Sequence, residues 1–203
     1  MQSDGLVTRT LLIPRKSSSK ILVSRGGSDN LDIGTVDLSS GRSQIRIFDI
    51  GGDAKDYTTG EVLAWGLRNA VGVAENPLDG GIWSVENNVD DLSREGEEIN
   101  ENNPAEELNY HGTVKDNKSP NRGKNFGFPL CVPAWNISEI PSNAGLQVGI
   151  QFAIGEENAT RNDDFCRTER VAPRLSLAPH TAPLDIKFDS NGETAYVSFH
   201  GSW

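Results

Sequence analysis

Three stretches of the sequence repeat one pattern: RTLLIPRKSSSKILVS at residues 9–24, VGVAENPLDGGIWSVE at 71–86 and LDIKFDSNGETAYVS at 184–198. In each, an apolar run leads into a turn rich in Gly, Pro, Asn, Asp or Ser, and a second apolar run follows. β-Branched and aromatic runs favour the pleated, half-buried surface of a sheet, and such turn residues suit tight hairpin connections. The sequence therefore predicts three β-hairpins.

The spacing of the hairpins predicts how they are arranged. They begin at residues 9, 71 and 184, so the second interval is close to twice the first. A unit that recurs in this way is typical of a β-propeller, here with one further blade between the second and third hairpins. We expect strands at 34–37 and 44–50 to complete the first blade, and an insertion at about 117–170 to lie in the intervening blade. The alternative is a β-sandwich that contains three unrelated hairpins.

The predicted fold is therefore all-β, a single partial propeller of about three to four blades over residues 1–203. Both ends of the sequence lie close to strand-like runs, whereas domain ends usually taper into polar residues. We accordingly expect a fragment of a larger propeller.

Composition excludes several functional classes. The 203 residues include 19 Lys and Arg against 29 Asp and Glu, a net charge of −10, which argues against nucleic acid or anionic membrane surfaces as partners. With 35% hydrophobic residues, 21 Gly and 10 Pro, a helical bundle is excluded. No apolar run approaches the roughly 20 residues of a membrane span. The sequence as given also begins without a signal peptide.

The two cysteines, Cys131 and Cys166, lie outside any C-x-x-C spacing, which argues against a zinc site. They are either a disulfide or two reduced thiols. Asn136 and Asn158 lie between them in N-x-S/T sequons, and a third sequon at Asn117 is weakened by the proline that follows. Glycosylation at Asn136 and Asn158 would favour a disulfide in a secreted protein.

Polar residues follow the second strand of each hairpin, at 25–30, 87–91 and 200–202. Propellers carry function in such loops on one face. Arg68 and Asn69 stand directly before an apolar strand, and the guanidinium of an arginine offers a planar fork to a carboxylate or quinone oxygen. The alternative is an ion pair between Arg68 and a neighbouring carboxylate.

Six stretches of sequence together resemble the soluble quinoprotein sugar dehydrogenases, most closely the fungal pyranose dehydrogenase or L-sorbosone dehydrogenase-like branch. They are GLRNAVG (66–72), GIWSVENN (81–88), NPAEELN (103–109), GKNFGFP (123–129), APHTAPL (178–184) and VSFHGSW (197–203). The resemblance implies a secreted six-bladed propeller that holds pyrroloquinoline quinone (PQQ) and Ca²⁺. It also implies oxidation of a sugar at the anomeric carbon, with electrons passing to a cytochrome or another acceptor.

The same resemblance assigns roles to individual residues. Arg68, Asn69, His180, Thr181 and His200 correspond to cofactor-binding positions. In a separate set, the backbone carbonyls of Asn88 and Val89 correspond to Ca²⁺ ligands, although the Gly and Pro of the family pattern are absent there. The resemblance leaves open whether Glu106 and Glu107 support this turn or face the sugar. His111 follows Tyr110 in a predicted loop and has no assigned role.

Two departures from the family pattern bear on activity. Leu6 occupies the position of the family's general-base histidine, and a leucine side chain cannot accept a proton. The family pattern also continues beyond Trp203 into Asn-Arg, whose arginine grips the cofactor. A degenerate or partial copy is therefore expected. The alternatives are a calcium-dependent lactonase-like propeller, in which Glu86, Asn87 and Asp90 would bind the metal, and a non-catalytic binding propeller.

Overall fold

A computed structural model describes residues 5–51, 56–155 and 160–201. Within these ranges the chain folds mainly into β-strands, as the composition predicts. The strands are β1 (Leu11–Leu12), β2 (Lys20–Arg25), β3 (Gln44–Asp49), β4 (Glu61–Trp65), β5 (Ala70–Glu75), β6 (Gly81–Glu86), β7 (Ser93–Arg94), β8 (Glu97–Glu98), β9 (Glu106–Thr113), β10 (Lys124–Asn125), β11 (Cys131–Pro133), β12 (Gln151–Ala153), β13 (Leu175–Leu177), β14 (Pro183–Phe188) and β15 (Ala195–Phe199). Helix α1 spans Asp163–Glu169, and 3-10 helices occupy Arg15–Ser17, Ile33–Val36, Leu38–Ser40, Tyr57–Thr59 and Ile137–Glu139.

Two antiparallel meanders of four strands form the body of the molecule. The first runs from β1 to β4 in chain order, and β10 adds to it parallel to β4. The second has the order β5, β6, β9, β13, and β14 and β15 form a separate hairpin. The three hairpins predicted from the sequence are thus confirmed, and each is the first strand pair of its unit.

The three units stack face to face in chain order. One apolar cluster lies between the two meanders, built from Leu22, Ile45, Ile47, Leu63, Ala64, Leu67, Ala70, Val73, Ile82 and Phe126. A second lies between the second meander and the β14–β15 hairpin, built from Ala74, Val85, Leu108 and Ile186. The approach is close at Gly72, where a Cβ would lie 2.7 Å from the Cα of Asp185. Successive meanders packed in this way are typical of propeller blades rather than of two facing sheets.

Two predictions about the strands are wrong. Residues 34–37 do not form a strand. Instead, Ile33–Val36 form a 3-10 helix, and the Asp32 carboxylate just before it accepts hydrogen bonds from Ser28 and Arg42. The first meander is completed instead by β4. In addition, the described residues contain no separate blade between the second and third hairpins. Strands β9 and β13 complete the second meander, and a long excursion separates them.

The excursion at residues 114–174 contains β10, β11, β12 and α1. Its apolar side chains pack against the β6–β9 connection in one buried cluster, formed by Val89, Leu92, Ile99, Phe128, Val132, Ala134, Ile140, Leu146, Phe152 and Ile154. Arg94 of β7 also forms an ion pair with Asp163 of α1, with 3.1 Å between Nη1 and Oδ1. The excursion therefore supports the loop that follows β6. Across the described part of the chain, no helix has the length and apolarity to cross a membrane.

Candidate functional site

The polar loops that follow β2, β6 and β15 come together at one end of the stacked sheets. A cavity of ≈ 220 Å³ opens there, lined by Arg68, Asn87, Asn88, Asp90, Glu106, His180, Ala182, His200 and Gly201. Segments that are far apart in sequence supply its wall because each sheet contributes the loops at the same end. The cavity unites Arg68, Asn88, Glu106, His180 and His200 from among the residues predicted from the sequence.

Arg68 is the central cation of this wall, with only 6% of its side chain exposed. Its Nε donates to Asn30 O at 3.0 Å and its Nη1 to Asn87 O at 3.3 Å. Its Nη2 donates to Asn30 Oδ1 at 2.8 Å and to Asp90 Oδ2 at 3.2 Å. Burial lowers the pKa of Arg68, although the neighbouring carboxylates counteract that effect. The predicted alternative, an ion pair with a nearby carboxylate, is thus present at the cavity.

Asn69 and Leu6 lie beside each other behind this wall. A Cβ added to Gly26 would meet Asn69 Oδ1 at 2.8 Å and the Leu6 Cβ at 3.0 Å, so only glycine leaves room here. Asn69 is 8% exposed, and its Oδ1 has no hydrogen-bond donor among the described residues. A buried acceptor of this kind usually has a partner, such as water or a ligand. Leu6 presents only hydrocarbon at this position.

Glu106 and Glu107 both hold Asn88. The Asn88 backbone N–H donates to Glu106 Oε2 at 2.7 Å, and its Nδ2 donates to Glu107 Oε1 at 2.9 Å. Burial raises the pKa of Glu106 to about 7, whereas the Asn88 N–H and the charges of His180 and Arg68 oppose that rise. Of the two roles left open for the pair, the structure shows support of the turn for both residues, and Glu106 also lines the cavity.

Glu107 lies directly opposite Glu86 on the neighbouring strand. Asn109 Nδ2 lies between the two carboxylates and donates to Glu107 Oε2 at 2.8 Å and to Glu86 Oε2 at 3.3 Å. Glu86 Oε1 accepts the backbone N–H of Arg68. Burial raises the pKa of Glu107 to about 8 and that of Glu86 well above its ordinary value, and their mutual repulsion adds to the rise for Glu86.

The histidines of the site differ in how firmly they are held. His180 donates from Nε2 to Asn100 O, and its Nδ1 lies 3.4 Å from Asp90 Oδ1. His200 is exposed at the rim, held through its backbone N–H to Ala182 O at 3.0 Å. Thr181, which was also predicted at the site, donates its hydroxyl to Ala178 O at 2.7 Å and does not line the cavity. The hydroxyl is used to close this turn.

His111 was predicted to lie in a loop, and this is wrong. It lies on β9, fully buried, with Nε2 2.7 Å from Ser84 Oγ and its ring edge-on to Phe126. Burial lowers its pKa to about 3. It is a neutral core residue outside the cavity.

Carboxylates do not form a metal centre in the described part of the chain. No group of three or more His, Cys, Asp or Glu side chains there is placed to hold an ion. Glu86 turns toward Arg68 and Asn109, whereas Asp90 turns toward Arg68 and His180. Of the three residues on which the lactonase alternative depends, Asn87 and Asp90 line the cavity and Glu86 does not. A cation at this site would have to rely on carbonyl oxygens, which Ca²⁺ accepts.

Cys131 and Cys166 form a disulfide that joins β11 to α1 within the excursion. Asn136, one of the two predicted glycosylation positions, is half-buried, and its Nδ2 donates to Glu139 Oε1 at 2.8 Å. The other, Asn158, lies outside the described residues. Asn136 does not line the cavity.

Among the residues of the cavity and its hydrogen-bond network that were not assigned to the predicted quinoprotein site are Asn30, Glu86, Asn87 and Asp90. The available signal was their place in the polar loops after β2 and at the end of β6. Nothing in the local sequence shows that Asn30 and Asp90 meet, because they are joined only by the stacking of two sheets.

Comparison with known proteins adds a family context. The family model described as TrAA12-like matches residues 1–203. A PQQ-dependent sugar dehydrogenase of Hypocrea jecorina (strain QM6a) is 47% identical over 207 residues, a match that covers 100% of this chain and 48% of the relative.

Two solved structures extend the comparison. A calcium structure of Trichoderma reesei carbohydrate-active enzyme family AA12 has a TM-score of 0.93 at 46% identity, covering 100% of this chain and 50% of that one. The holo form of the pyranose dehydrogenase PQQ domain from Coprinopsis cinerea has a TM-score of 0.85 at 36% identity, covering 97% and 49%. The chain thus spans about half the length of the proteins it matches.

Proposed function

The chain belongs to the TrAA12-like family, and from this membership we propose that it forms part of a six-bladed propeller that oxidises a pyranose-type sugar with PQQ. The described units correspond to two blades and the first strand pair of a third. The observation that carries the proposal is the cavity built around Arg68, which is lined by loops of the second meander and by the ends of the β14–β15 hairpin. Asn30 of the first meander bonds to Arg68 beside it. The reaction is proposed because the relatives are PQQ-dependent dehydrogenases of sugars.

The residues at the cavity fit one side of such a cofactor. PQQ is a planar tricarboxylate, and Arg68 brings a buried positive charge and a guanidinium N–H that has no acceptor among the described residues. His180 and His200 add ring nitrogens to the same wall, and the unpaired Asn69 Oδ1 lies behind it. Arg68 would hold an anionic oxygen of the cofactor, and the histidines would line its edge.

PQQ, when bound, supplies a quinone that takes up the hydride of the anomeric carbon. The chain's own contribution is a rigid and polar wall. Arg68, Asn88 and Glu106 are held by at least one short hydrogen bond each, so that little reorganisation is needed on binding. The side chain at Leu6 cannot act as the general base, and a proton acceptor would have to come from another position.

The proposal also includes a bound calcium ion. The carbonyls of Asn88 and Val89 would face the ion, and the clamp of Glu106 and Glu107 on Asn88 would fix this turn. A calcium structure of a relative supports this choice of ion. Placement outside the cell, with glycosylation and a cytochrome as electron acceptor, completes the proposal. A buried disulfide favours an oxidising compartment.

A titration with PQQ in the presence of Ca²⁺, followed by fluorescence, tests the proposal. Loss of one charged hydrogen bond should weaken binding of PQQ to Arg68→Ala by about tenfold or more. Arg122→Ala is the matched control, because the Arg122 side chain is 8% exposed and pairs with Glu61 outside the cavity. Its affinity should stay within about twofold of the unsubstituted protein. Sugar-dependent reduction of a dye then tests turnover, and failure of the complete propeller that contains this chain to bind PQQ would refute the proposal.

A further inference from the structure

Asn30 has no assigned role, yet it makes four hydrogen bonds to two residues of the cavity wall, Arg68 and Asp90. Its carbonyl oxygen accepts from Arg68 Nε at 3.0 Å, and its Oδ1 accepts from Arg68 Nη2 at 2.8 Å. The same Oδ1 accepts the Asp90 N–H at 2.8 Å, while its Nδ2 donates to Asp90 O at 2.6 Å. Both polar atoms of the Asn30 side chain are therefore committed to Arg68 and Asp90.

These bonds connect two separate sheets. Asn30 follows β2 of the first meander, whereas Arg68 and Asp90 precede β5 and follow β6 of the second. The guanidinium has five N–H groups, of which Asn30 takes two, Asn87 one and Asp90 one. Asn30 thus provides half of the acceptors that hold Arg68. Its side chain also bonds to the backbone N–H and carbonyl of Asp90.

We propose that Asn30 is a positioning residue, which fixes the plane of the Arg68 guanidinium and keeps its charge available to an anionic ligand of the cavity. The inference rests on the proposed function in that PQQ is taken as this ligand. Without the Asn30 side chain, Arg68 keeps the backbone carbonyls of residues 30 and 87 and the Asp90 carboxylate as acceptors, but it loses the Asn30 Oδ1 that holds Nη2. The loop at residue 30 also loses its two hydrogen bonds to the Asp90 backbone. The guanidinium would then be free to turn, and its charge would no longer be held in place for the ligand.

The first test requires no cofactor. Phenylglyoxal modifies accessible guanidinium groups, and peptide mapping by mass spectrometry reports the rate at Arg68. We expect Asn30→Ala to raise that rate severalfold, because the buried guanidinium loses the Asn30 Oδ1 acceptor and the loop at residue 30 loses its side-chain bonds to the Asp90 backbone. Asn30→Asp keeps the oxygen that accepts from Arg68 and should stay nearer the original rate. Asn121→Ala is the control, since it also removes one amide-to-carbonyl hydrogen bond, at 2.8 Å to Tyr110 O, away from the cavity.

The second test is a double-mutant cycle on PQQ affinity. Asn30→Ala should weaken PQQ binding by about tenfold in the unsubstituted protein and have little further effect in Arg68→Ala, because it acts through Arg68. Equal effects in both backgrounds, or an unchanged modification rate at Arg68, would overturn the inference. If the unsubstituted protein binds no PQQ while the modification rate still responds to Asn30→Ala, the proposed function fails and the positioning role stands.

Discussion

At the scale of single residues, His111 shows how a polar side chain is accommodated in the core. Its ring is fully buried between Ser84, 2.7 Å away, and Phe126, with 4.7 Å between ring centroids. Burial disfavours the charged imidazolium, so the pKa falls to about 3. The folded protein therefore binds the proton of this histidine much more weakly than the unfolded chain does.

This difference predicts a loss of stability in acid. Above roughly pH 6.5 the histidine is neutral in both states and contributes no pH dependence. As the pH falls toward 3, the histidine is protonated in the unfolded state but stays neutral in the folded state. The free energy of unfolding therefore declines by at most about 1.4 kcal/mol per pH unit. Urea unfolding of His111→Gln over this range should show a shallower decline, because glutamine does not titrate.

The comparison must be made against the unsubstituted protein, since Glu106 and Glu107, whose pKa values are raised, act in the opposite direction at higher pH. His200→Gln is the control, because that histidine is exposed. Equal slopes for His111→Gln and the unsubstituted protein would contradict the assignment of His111 as a buried neutral group.

Sequence reasoning located Arg68 because an arginine directly before an apolar strand is conspicuous. It could not locate Asn30, whose neighbours Arg68 and Asp90 lie 38 and 60 positions away. An asparagine in a polar loop carries no local mark of the contact it will make. Residues whose role depends on the stacking of two sheets therefore cannot be identified from the sequence.

At the scale of elements, the three hairpins were predictable because their apolar runs and turns are local signals. Strand β9 was not. Its inward side chains include Glu107, Asn109 and His111, which are buried through hydrogen bonds to β6 and the loop after it rather than through apolarity. A strand of this composition has no hydrophobic alternation to detect. For the same reason, the sequence predicted a separate unit where β9 and β13 in fact complete the second meander.

The disulfide between β11 and α1 gives a prediction for the excursion. The cysteines are 35 positions apart, and closing a loop of that length in the unfolded chain is worth about 4 kcal/mol. Replacing Cys131 and Cys166 together by alanine should lower the free energy of unfolding by about 2–5 kcal/mol, measured by urea denaturation. Reductant should destabilise the unsubstituted protein and leave the double variant unaffected. A loss below about 1 kcal/mol would show that the crosslink constrains little.

At the scale of the whole molecule, the net charge of −10 restricts the choice of partners. Several basic side chains of the described residues are already paired, as in Lys20 with Asp49, Arg42 with Asp32 and Arg122 with Glu61. Binding to polyanions depends on clustered cations that displace counterions. We therefore expect the protein to pass through a heparin column at physiological salt and to be retained by an anion exchanger. Retention on heparin would contradict the predicted lack of nucleic-acid partners.

The described residues of the excursion do not line the cavity, yet they share a buried apolar cluster with the loop that forms one wall. Val89 of that loop and Phe152 of the excursion belong to this cluster together. Opening of the excursion would expose the apolar underside of the wall, so we expect the two segments to unfold together. Substitutions far from the cavity can accordingly change ligand affinity by altering how often this unit is folded.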